Sequence, residues 1–310
     1  MLQKTKAYIF YSTNYGRNDG CPLYYFNVLK NQLKLNTTHL DPKGDISRFG
    51  KADLSFWVDW GEDGLIQAGY KPWSIPEGCG KKIYVVSDAH IAPESMKYRI
   101  EKAKEFDYVF LNQSWYLPKF KEAGIKNVFY LPHAAEPKAY PHFKIIPKYD
   151  VVFIGHIQEF EVGNGIGNRL DFLDSMFKEF PNFYYGGRNP VWPEKNMFED
   201  ASKKFCESKI VLNISIGNDL NMRFYEAMMS GSFLLTNKIA ELKSAKKYGF
   251  IDGIHYVSYS SLKDAIKKAK YYIAHDEERE KIAKAGYKQA LKTGTYKSRV
   301  EEILRVVSSL

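Results

Sequence analysis

Short apolar segments alternate with amphipathic helical patterns through most of the 310-residue chain, and this alternation restricts its fold more than any other feature. Strands that alternate with helices form parallel sheets with helices on their faces, because each parallel pair needs a long crossover connection. At roughly 150 residues per domain, the length predicts about two such domains. An apolar fraction of 45% is sufficient for folded cores and excludes a globally disordered chain.

The same α/β pattern is expected in both halves of the chain. In the first half the predicted strands are Ala7–Tyr11, Leu54–Val58, Ile83–Val86, Tyr108–Leu111 and Val128–Leu131, and the predicted helices are Leu23–Leu33, Met96–Phe106 and Leu117–Ala123. In the second half the predicted strands are Val151–Ile154, Phe183–Tyr185, Ile210–Ile214, Phe233–Thr236 and His255–Val257, and the predicted helices are Arg169–Phe180, Met197–Ser208, Met222–Ser230 and Leu262–Ile273. Beyond Asp276 the pattern is helical only.

A proline-rich stretch separates the two halves. Pro132, Pro137, Pro141 and Pro147 lie within a short polar and aromatic segment, and prolines at this density interrupt both helices and strands. We therefore expect the domain boundary there. The final helical segment carries an apolar stripe that could pack on its own domain or cross back to the first.

Composition excludes several classes of protein. The three cysteines are odd in number and far apart, which favours reduced thiols and a cytoplasmic location over a disulfide framework. We see no signal peptide, membrane anchor or zinc-binding spacing. The net charge of +9 is compatible with an anionic ligand, a nucleic acid, an acidic membrane surface or simply a lysine-rich solvated surface.

The most informative segment is Ser208–Asn237, SKIVLNISIGNDLNMRFYEAMMSGSFLLTN. A buried strand leads into a polar loop and then into a helix that carries Arg223 and Glu226. Ligands of open α/β sheets bind at the carboxyl ends of strands, where a helix N-terminus attracts phosphate. Arg223 can bind a diphosphate, and Glu226 can accept two ribose hydroxyls. A helix-start acid and a solvated arginine would explain the same two residues.

Two further loops carry candidate residues in the first domain. Asp88 and His90 follow a predicted buried strand, where the histidine could stabilise a reacting sugar or shuttle a proton and Asp88 could orient it or act as a base. A capping aspartate and a packed histidine are the structural alternative. After the first strand, Gly16 could let its loop approach donor phosphates or an acceptor, although a disordered surface loop fits equally well.

The segment NDLNMRFYEAMMSGSFLLTNK resembles the nucleotide-sugar signature of group 1 (family 4-like) glycosyltransferases, most closely the spore-maturation CgeB-like branch. The resemblance extends to YDVVFIGHI and LPHAAEP and covers roughly Ser87 to Ile303. It implies the GT-B architecture, in which two Rossmann-like domains face each other across a cleft. The implied domains are residues 1–140 on the acceptor side, 141–292 for the nucleotide sugar, and 293–310 as a helix packing back on the first domain.

The resemblance also implies roles for individual residues. The family's donor site is marked by two acidic residues separated by seven others, and Glu226 occupies the second place, as the ribose ligand. The first place falls on Asn218, with Asp219 beside it, which departs from the usual carboxylate. Arg169, at the start of the helix that follows the loop after Gly155, corresponds to a basic position that holds the diphosphate. A plain flexible loop would explain the glycines that precede it.

We therefore expect a glycosyltransferase that moves a sugar from a nucleotide-diphosphate sugar, a UDP-sugar, to an acceptor hydroxyl. No cofactor or metal is expected, since the chain has no D-x-D motif, and the resemblance implies retention of configuration. The acceptor classes left open are a polysaccharide, a protein, a lipid-linked sugar, a wall polymer or a modified DNA base, with peripheral membrane or polyanion contact. The alternatives are a basic protein that binds nucleic acid or an anionic surface, and a sugar-nucleotide epimerase or hydrolase.

Overall fold

The computed structural model describes residues 5–11, 21–40, 50–59, 74–87, 95–155, 161–162, 166–187 and 197–309. The chain divides into two compact units. Unit 1 comprises Met1–Pro132 together with Tyr296–Leu310, and unit 2 comprises His133–Thr295.

Unit 1 contains a parallel sheet of six strands in the order β2-β1-β3-β4-β5-β6. The strands are β1 (Lys6–Phe10), β2 (Asn36–Leu40), β3 (Leu54–Asp59), β4 (Lys81–Val86), β5 (Tyr108–Leu111) and β6 (Val128–Tyr130). The described helices between them are α1 (Cys21–Asn27), which continues into a π-helical turn (Val28–Gln32), α2 (Met96–Ala103), a 3-10 turn (Ser114–Tyr116) and α3 (Leu117–Glu122). Strand β4 is buried except at its start, as expected for a strand covered on both faces.

Unit 2 contains a second parallel sheet, in the order β11-β10-β9-β7-β8. Its strands are β7 (Tyr149–Gly155), β8 (Phe183–Gly187), β9 (Ser208–Asn213), β10 (Leu234–Asn237) and β11 (Val257–Tyr259). Its helices are α4 (Arg169–Glu179), α5 (Met197–Cys206), α6 (Met222–Met229), the 3-10 turns Ala240–Lys243 and Lys246–Tyr248, α7 (Leu262–Ala274) and α8 (Asp276–Thr293). The predicted α/β class with two parallel sheets is confirmed.

Each sheet has its own apolar core. In unit 1, Phe10 stacks on Trp57 with ring centroids 5.8 Å apart, and Tyr84 stacks on Phe106 at 4.8 Å. In unit 2 the core includes Val151 and Leu212 from the central strands, both fully buried.

The sequence analysis missed one strand and misplaced another. Strand β2 was not predicted, because its sequence NTTHL is polar; it lies at the edge of the sheet, where fewer apolar side chains are needed. The last strand spans Val257–Tyr259, whereas the prediction was His255–Val257. His255 instead belongs to the preceding turn, where its Nδ1 accepts a 3.0 Å hydrogen bond from the amide of Ile251.

The last helix, α9 (Tyr296–Ser309), packs within unit 1. The ring of Tyr296 lies 5.0 Å from that of Tyr24 on α1, measured between centroids. Arg299 is fully buried, and its Nε donates a 2.9 Å hydrogen bond to the carbonyl oxygen of Pro132. Near the end of the helix, Lys81 Nζ donates a 2.7 Å bond to the carbonyl oxygen of Val307. These contacts make the chain's last segment part of the core of unit 1.

Within the described part of the chain, no helix combines the length and apolarity that crossing a membrane requires. The same residues contain no group of three histidines, cysteines or acids placed to hold a metal ion.

Replacing Arg299 with alanine should destabilise unit 1, because the change removes packed aliphatic atoms and leaves the carbonyl of Pro132 without this donor. We expect a loss of about 2–4 kcal/mol in the free energy of unfolding. Urea unfolding followed by circular dichroism measures it. Arg305→Ala, which removes the same charge from an exposed position of α9, should change stability by less than about 0.5 kcal/mol. Equal losses in the two variants would contradict the assignment of Arg299 to the core.

Candidate functional site

The strand order of unit 2 reverses between β7 and β9, because β8 lies on one side of β7 and β9 lies on the other. Ligands of open parallel sheets bind outside the carboxyl ends of the strands at such a reversal. Here β7 ends at Gly155 and β9 ends at Asn213. These two strand ends are therefore the expected position of a ligand in unit 2.

Arg169 connects the start of α4 to the end of β9 through its side chain. It is the first residue of α4, whose N-cap Asn168 accepts a 2.8 Å side-chain hydrogen bond from the amide of Leu170. Its Nη2 donates a 2.7 Å hydrogen bond to the carbonyl oxygen of Ile214, immediately after β9. Arg169 is only 7% exposed, so its guanidinium is held at the edge of the sheet rather than in bulk solvent.

The electrostatics around Arg169 favour an anion. Burial lowers the pKa of Arg169 to about 10, and repulsion by the nearby charge of Arg223 contributes to the shift. The guanidinium still remains protonated at neutral pH. Two cations held close together in a partly desolvated position bind an anion well, because the anion offsets the repulsion between them.

Arg223 and Glu226 form an ion pair one turn apart on α6. Arg223 Nε lies 2.9 Å from Glu226 Oε2, and the two side chains are 20% and 6% exposed. Arg223 is therefore partly buried and paired rather than fully solvated. The buried carboxylate is compensated by this cation, as a buried charge must be.

The guanidinium of Arg223 lies between an aromatic ring and a glycine. Its Cζ is 5.3 Å from the ring centroid of Phe205 on α5, a cation–π distance. A Cβ atom at Gly155 would lie 3.7 Å from Arg223 Nη1 and 3.0 Å from the ring of Phe153. A side chain at Gly155 would therefore crowd the ring of Phe153, and its Cβ would occupy the space beside Arg223 Nη1.

A network of amide side chains fixes the end of β9 to the start of α6. Asn213 Nδ2 donates to Asn221 Oδ1 at 3.2 Å and to Thr236 Oγ1 at 3.0 Å, and Asn221 Nδ2 donates back to Asn213 Oδ1 at 3.1 Å. Asn221 also caps α6 by accepting a 3.2 Å bond from the amide of Phe224. The hydroxyl of Tyr259 donates a 2.9 Å bond to the carbonyl oxygen of Asn213.

Between β9 and α6 the chain makes a tight turn. The amide of Asp219 donates a 3.1 Å hydrogen bond to the carbonyl oxygen of Ile216. The two central residues, Gly217 and Asn218, have φ values of 59° and 64°. Positive φ at both positions is typical of a type I′ turn, which glycine and asparagine tolerate best.

The sequence-predicted donor residues fall into three groups. Contacts at the reversal bring together Gly155, Arg169, Arg223 and Glu226. Asn218 and Asp219 form the neighbouring turn, where Asp219 is 3% exposed. The predicted first-domain residues, Asp88, His90 and Gly16, lie outside the described residues. The role predicted for each remains a prediction.

Sequence reasoning missed the polar support of the site. Asn213, Asn221 and Thr236 were assigned no role, and neither was the buried Asn237, whose Oδ1 accepts a 2.8 Å bond from the amide of Ser215. The sequence does contain a signal for this network, because β9 and β10 are both buried and both end in polar residues. Buried amide and hydroxyl groups need hydrogen-bond partners, so these side chains could have been expected to pair with each other.

Part of the chain matches a known protein family. Residues 169–305 match the model of the glycosyl transferase-like family. The matched region includes Arg169, Arg223 and Glu226. No curated protein is significantly similar to the chain in sequence.

Several solved structures share the fold. HepE (Alr3699) of Anabaena, in complex with UDP and glucose, is similar with a TM-score of 0.61 and 12% identity over 99% of this chain and 100% of that one. Sucrose-phosphate synthase (tll1590) from Thermosynechococcus elongatus has a TM-score of 0.64 and 9% identity over 99% of each chain. S. aureus TarM, in complex with Fondaparinux, alpha-GlcNAc-glycerol and UDP, has a TM-score of 0.56 and 14% identity over 81% of this chain and 55% of that one.

At these identities the structural likeness establishes the fold, which is the GT-B fold of two Rossmann-like domains. The family match adds a glycosyl transferase-like segment that contains the cations and the carboxylate of the site. The family match supports a glycosyltransferase enzyme, as the sequence predicted.

The asparagine network generates a stability prediction. Asn221→Ala removes both the cap of α6 and the bonds to Asn213, so the free energy of unfolding should fall by about 1–2 kcal/mol, as measured by urea unfolding. Asn221→Ser retains a capping oxygen but is too short to replace the amide pair, and should lose less. A serine variant as unstable as the alanine variant would show that the cap contributes nothing.

Proposed function

We propose that this enzyme transfers a sugar from a nucleoside diphosphate sugar to an acceptor hydroxyl, with unit 2 binding the donor. The observation that carries the proposal is the presence of two guanidinium groups at the strand reversal of unit 2. Arg169 Cζ lies 6.0 Å from the ring centroid of Phe153, and Arg223 Nη1 lies 3.7 Å from the position of a Cβ atom at Gly155. We propose a UDP-sugar as the donor. The presence of UDP in the HepE and TarM structures supports this choice.

In this proposal the diphosphate binds to Arg169 and Arg223 and the ribose binds to Glu226. The N-terminus of α6, which Asn221 fixes in place, adds a favourable dipole for the phosphate oxygens. Gly155 provides the room in which the donor approaches Arg223. Asn218 and Asp219 contribute the turn that borders the site, and no carboxylate chemistry is assigned to Asn218.

The proposed chemistry relies on positioning and charge. When the bond between the sugar and the diphosphate breaks, negative charge develops on the leaving diphosphate. Arg169 and Arg223 lie where they can offset it, and such preorganised cations stabilise a transition state strongly. We propose that they do so without a metal, which agrees with the absence of a D-x-D motif. Retention of configuration follows from the sequence resemblance, and NMR of the product's anomeric proton tests it.

On the acceptor side we propose that Asp88 and His90 act on the reacting groups. In the sequence they follow β4 and Ser87, and β4 is a buried strand of unit 1. The acceptor belongs to one of the hydroxyl- or nucleobase-bearing classes named above. The CgeB-like branch, the cytoplasmic location and contact with a membrane surface or polyanion stay predictions from the sequence.

Removal of either cation should weaken donor binding. We expect Arg169→Gln and Arg223→Gln each to raise the Kd for UDP by about 10- to 100-fold, because each loses a charge-assisted bond to phosphate. Isothermal titration calorimetry measures the Kd. The control is Lys281→Gln, which removes the same charge from an exposed position of α8 and should leave the Kd unchanged. Parental affinity in both arginine variants would refute the proposed donor site.

Replacement of His90 should lower turnover without weakening donor binding. We expect His90→Ala to lower kcat by roughly 100-fold, the size of a lost general acid–base or charge-stabilising group, while the Kd for UDP stays within about twofold. Release of UDP from a UDP-sugar in a coupled assay measures turnover. An unchanged kcat would assign His90 a structural role only.

A further inference from the structure

The ion pair on α6 uses only part of the hydrogen-bonding capacity of each partner. Arg223 donates its hydrogen bond to Glu226 through Nε. Its two terminal nitrogens, Nη1 and Nη2, donate no hydrogen bond to any of the described residues. Glu226 accepts this bond through Oε2. Its other oxygen, Oε1, accepts no hydrogen bond from a side chain or backbone amide among the residues that the structure describes. Each side chain therefore keeps one edge for a ligand.

The contact fixes the orientation of the guanidinium. Because Nε lies in the plane of the group, a bond at Nε directed to a buried carboxylate determines which way the Nη1–Nη2 edge faces. Phe205 lies at 5.3 Å from Cζ, and Gly155 leaves the space beside Nη1 open. The remaining Nη1–Nη2 edge presents two parallel N–H groups that can bind a phosphate in a bidentate manner.

We propose that Glu226 is a positioning residue for Arg223 as well as a ribose ligand. Its Oε2 presents the Nη1–Nη2 edge of Arg223 to the diphosphate, while its Oε1 accepts the ribose hydroxyl. One buried carboxylate thereby couples recognition of the nucleoside to recognition of the diphosphate. This inference rests on the proposed function, in which both groups bind a nucleoside diphosphate.

Electrostatics and positioning make opposite predictions for the diphosphate alone. A carboxylate next to an anion site repels the anion, so that removal of its charge should strengthen anion binding if nothing else changes. Loss of positioning has the reverse effect, because a free arginine must give up rotamer freedom when it binds. A third possibility, that Glu226 contacts only the ribose, predicts no change for a ligand that lacks ribose.

Inorganic pyrophosphate is the probe that separates these cases, since it has no ribose. We expect Glu226→Ala to raise the Kd for pyrophosphate by about 5- to 10-fold, because the charge-assisted bond that orders Arg223 is lost. Glu226→Gln keeps a neutral acceptor of the same size and should raise the Kd by about 2- to 4-fold. Calorimetry on the full chain measures both values.

A suitable control carboxylate lies at the amino-terminal ends of the strands, opposite the proposed site. Glu207, which precedes β9, is also buried and is paired with Lys204 at 2.8 Å. Glu207→Gln removes a comparable charge and should leave the Kd for pyrophosphate unchanged. Coupling is tested in the Arg223→Ala background, where the addition of Glu226→Ala should weaken pyrophosphate binding no further.

The sign of the change decides the inference. Unchanged or tighter pyrophosphate binding in Glu226→Gln overturns it, and this variant keeps the side-chain volume even if Glu226→Ala does not fold. Failure of the proposed function looks different, because the parent protein would then bind neither UDP nor pyrophosphate. Parental binding of UDP that depends on Arg223, together with pyrophosphate binding indifferent to Glu226, would retain the function and exclude the positioning role.

Discussion

Close approach of two guanidinium groups at the carboxyl edge of unit 2 is the constraint on which the site depends. Arg169 is held there by the carbonyl of Ile214, and Arg223 is held by Glu226. Like charges repel, so each needs a fixed partner that keeps it in place before an anion arrives. The strand order reverses between β7 and β9, so no crossover connection covers the carboxyl ends of these two strands. Both arginines lie at these uncovered strand ends.

The sequence predicts the sheets well wherever a strand is buried on both faces. Such strands carry a run of apolar residues, and residues 83–86 of β4, 151–154 of β7 and 210–212 of β9 show this pattern. Prediction fails where the physical requirement is weaker. The edge strand β2 needs few apolar side chains, and the start of β11 depends on whether His255 pairs with a neighbouring strand or completes a turn.

At the site, the sequence predicts the residue types better than their connections. Arg223 and Glu226 are three residues apart on a helix, a spacing that permits contact but does not show which guanidinium nitrogen is used. That detail is visible only in the structure, where Phe205 and Gly155, from other parts of unit 2, lie beside the guanidinium. The bond from Arg169 to Ile214 spans 45 residues and has no signature in the sequence, because it arises only when β7 and β9 pair.

The place of α9 in unit 1 has a consequence for the order of events during synthesis. Unit 2 is a continuous segment, His133–Thr295, whereas unit 1 is made of the chain's first part and its last helix. A ribosome therefore completes all of unit 2 before it releases Tyr296 and Arg299, which fill the core of unit 1. Until then the first part of unit 1 has an incomplete core that chaperones can bind, whereas unit 2 is already able to fold.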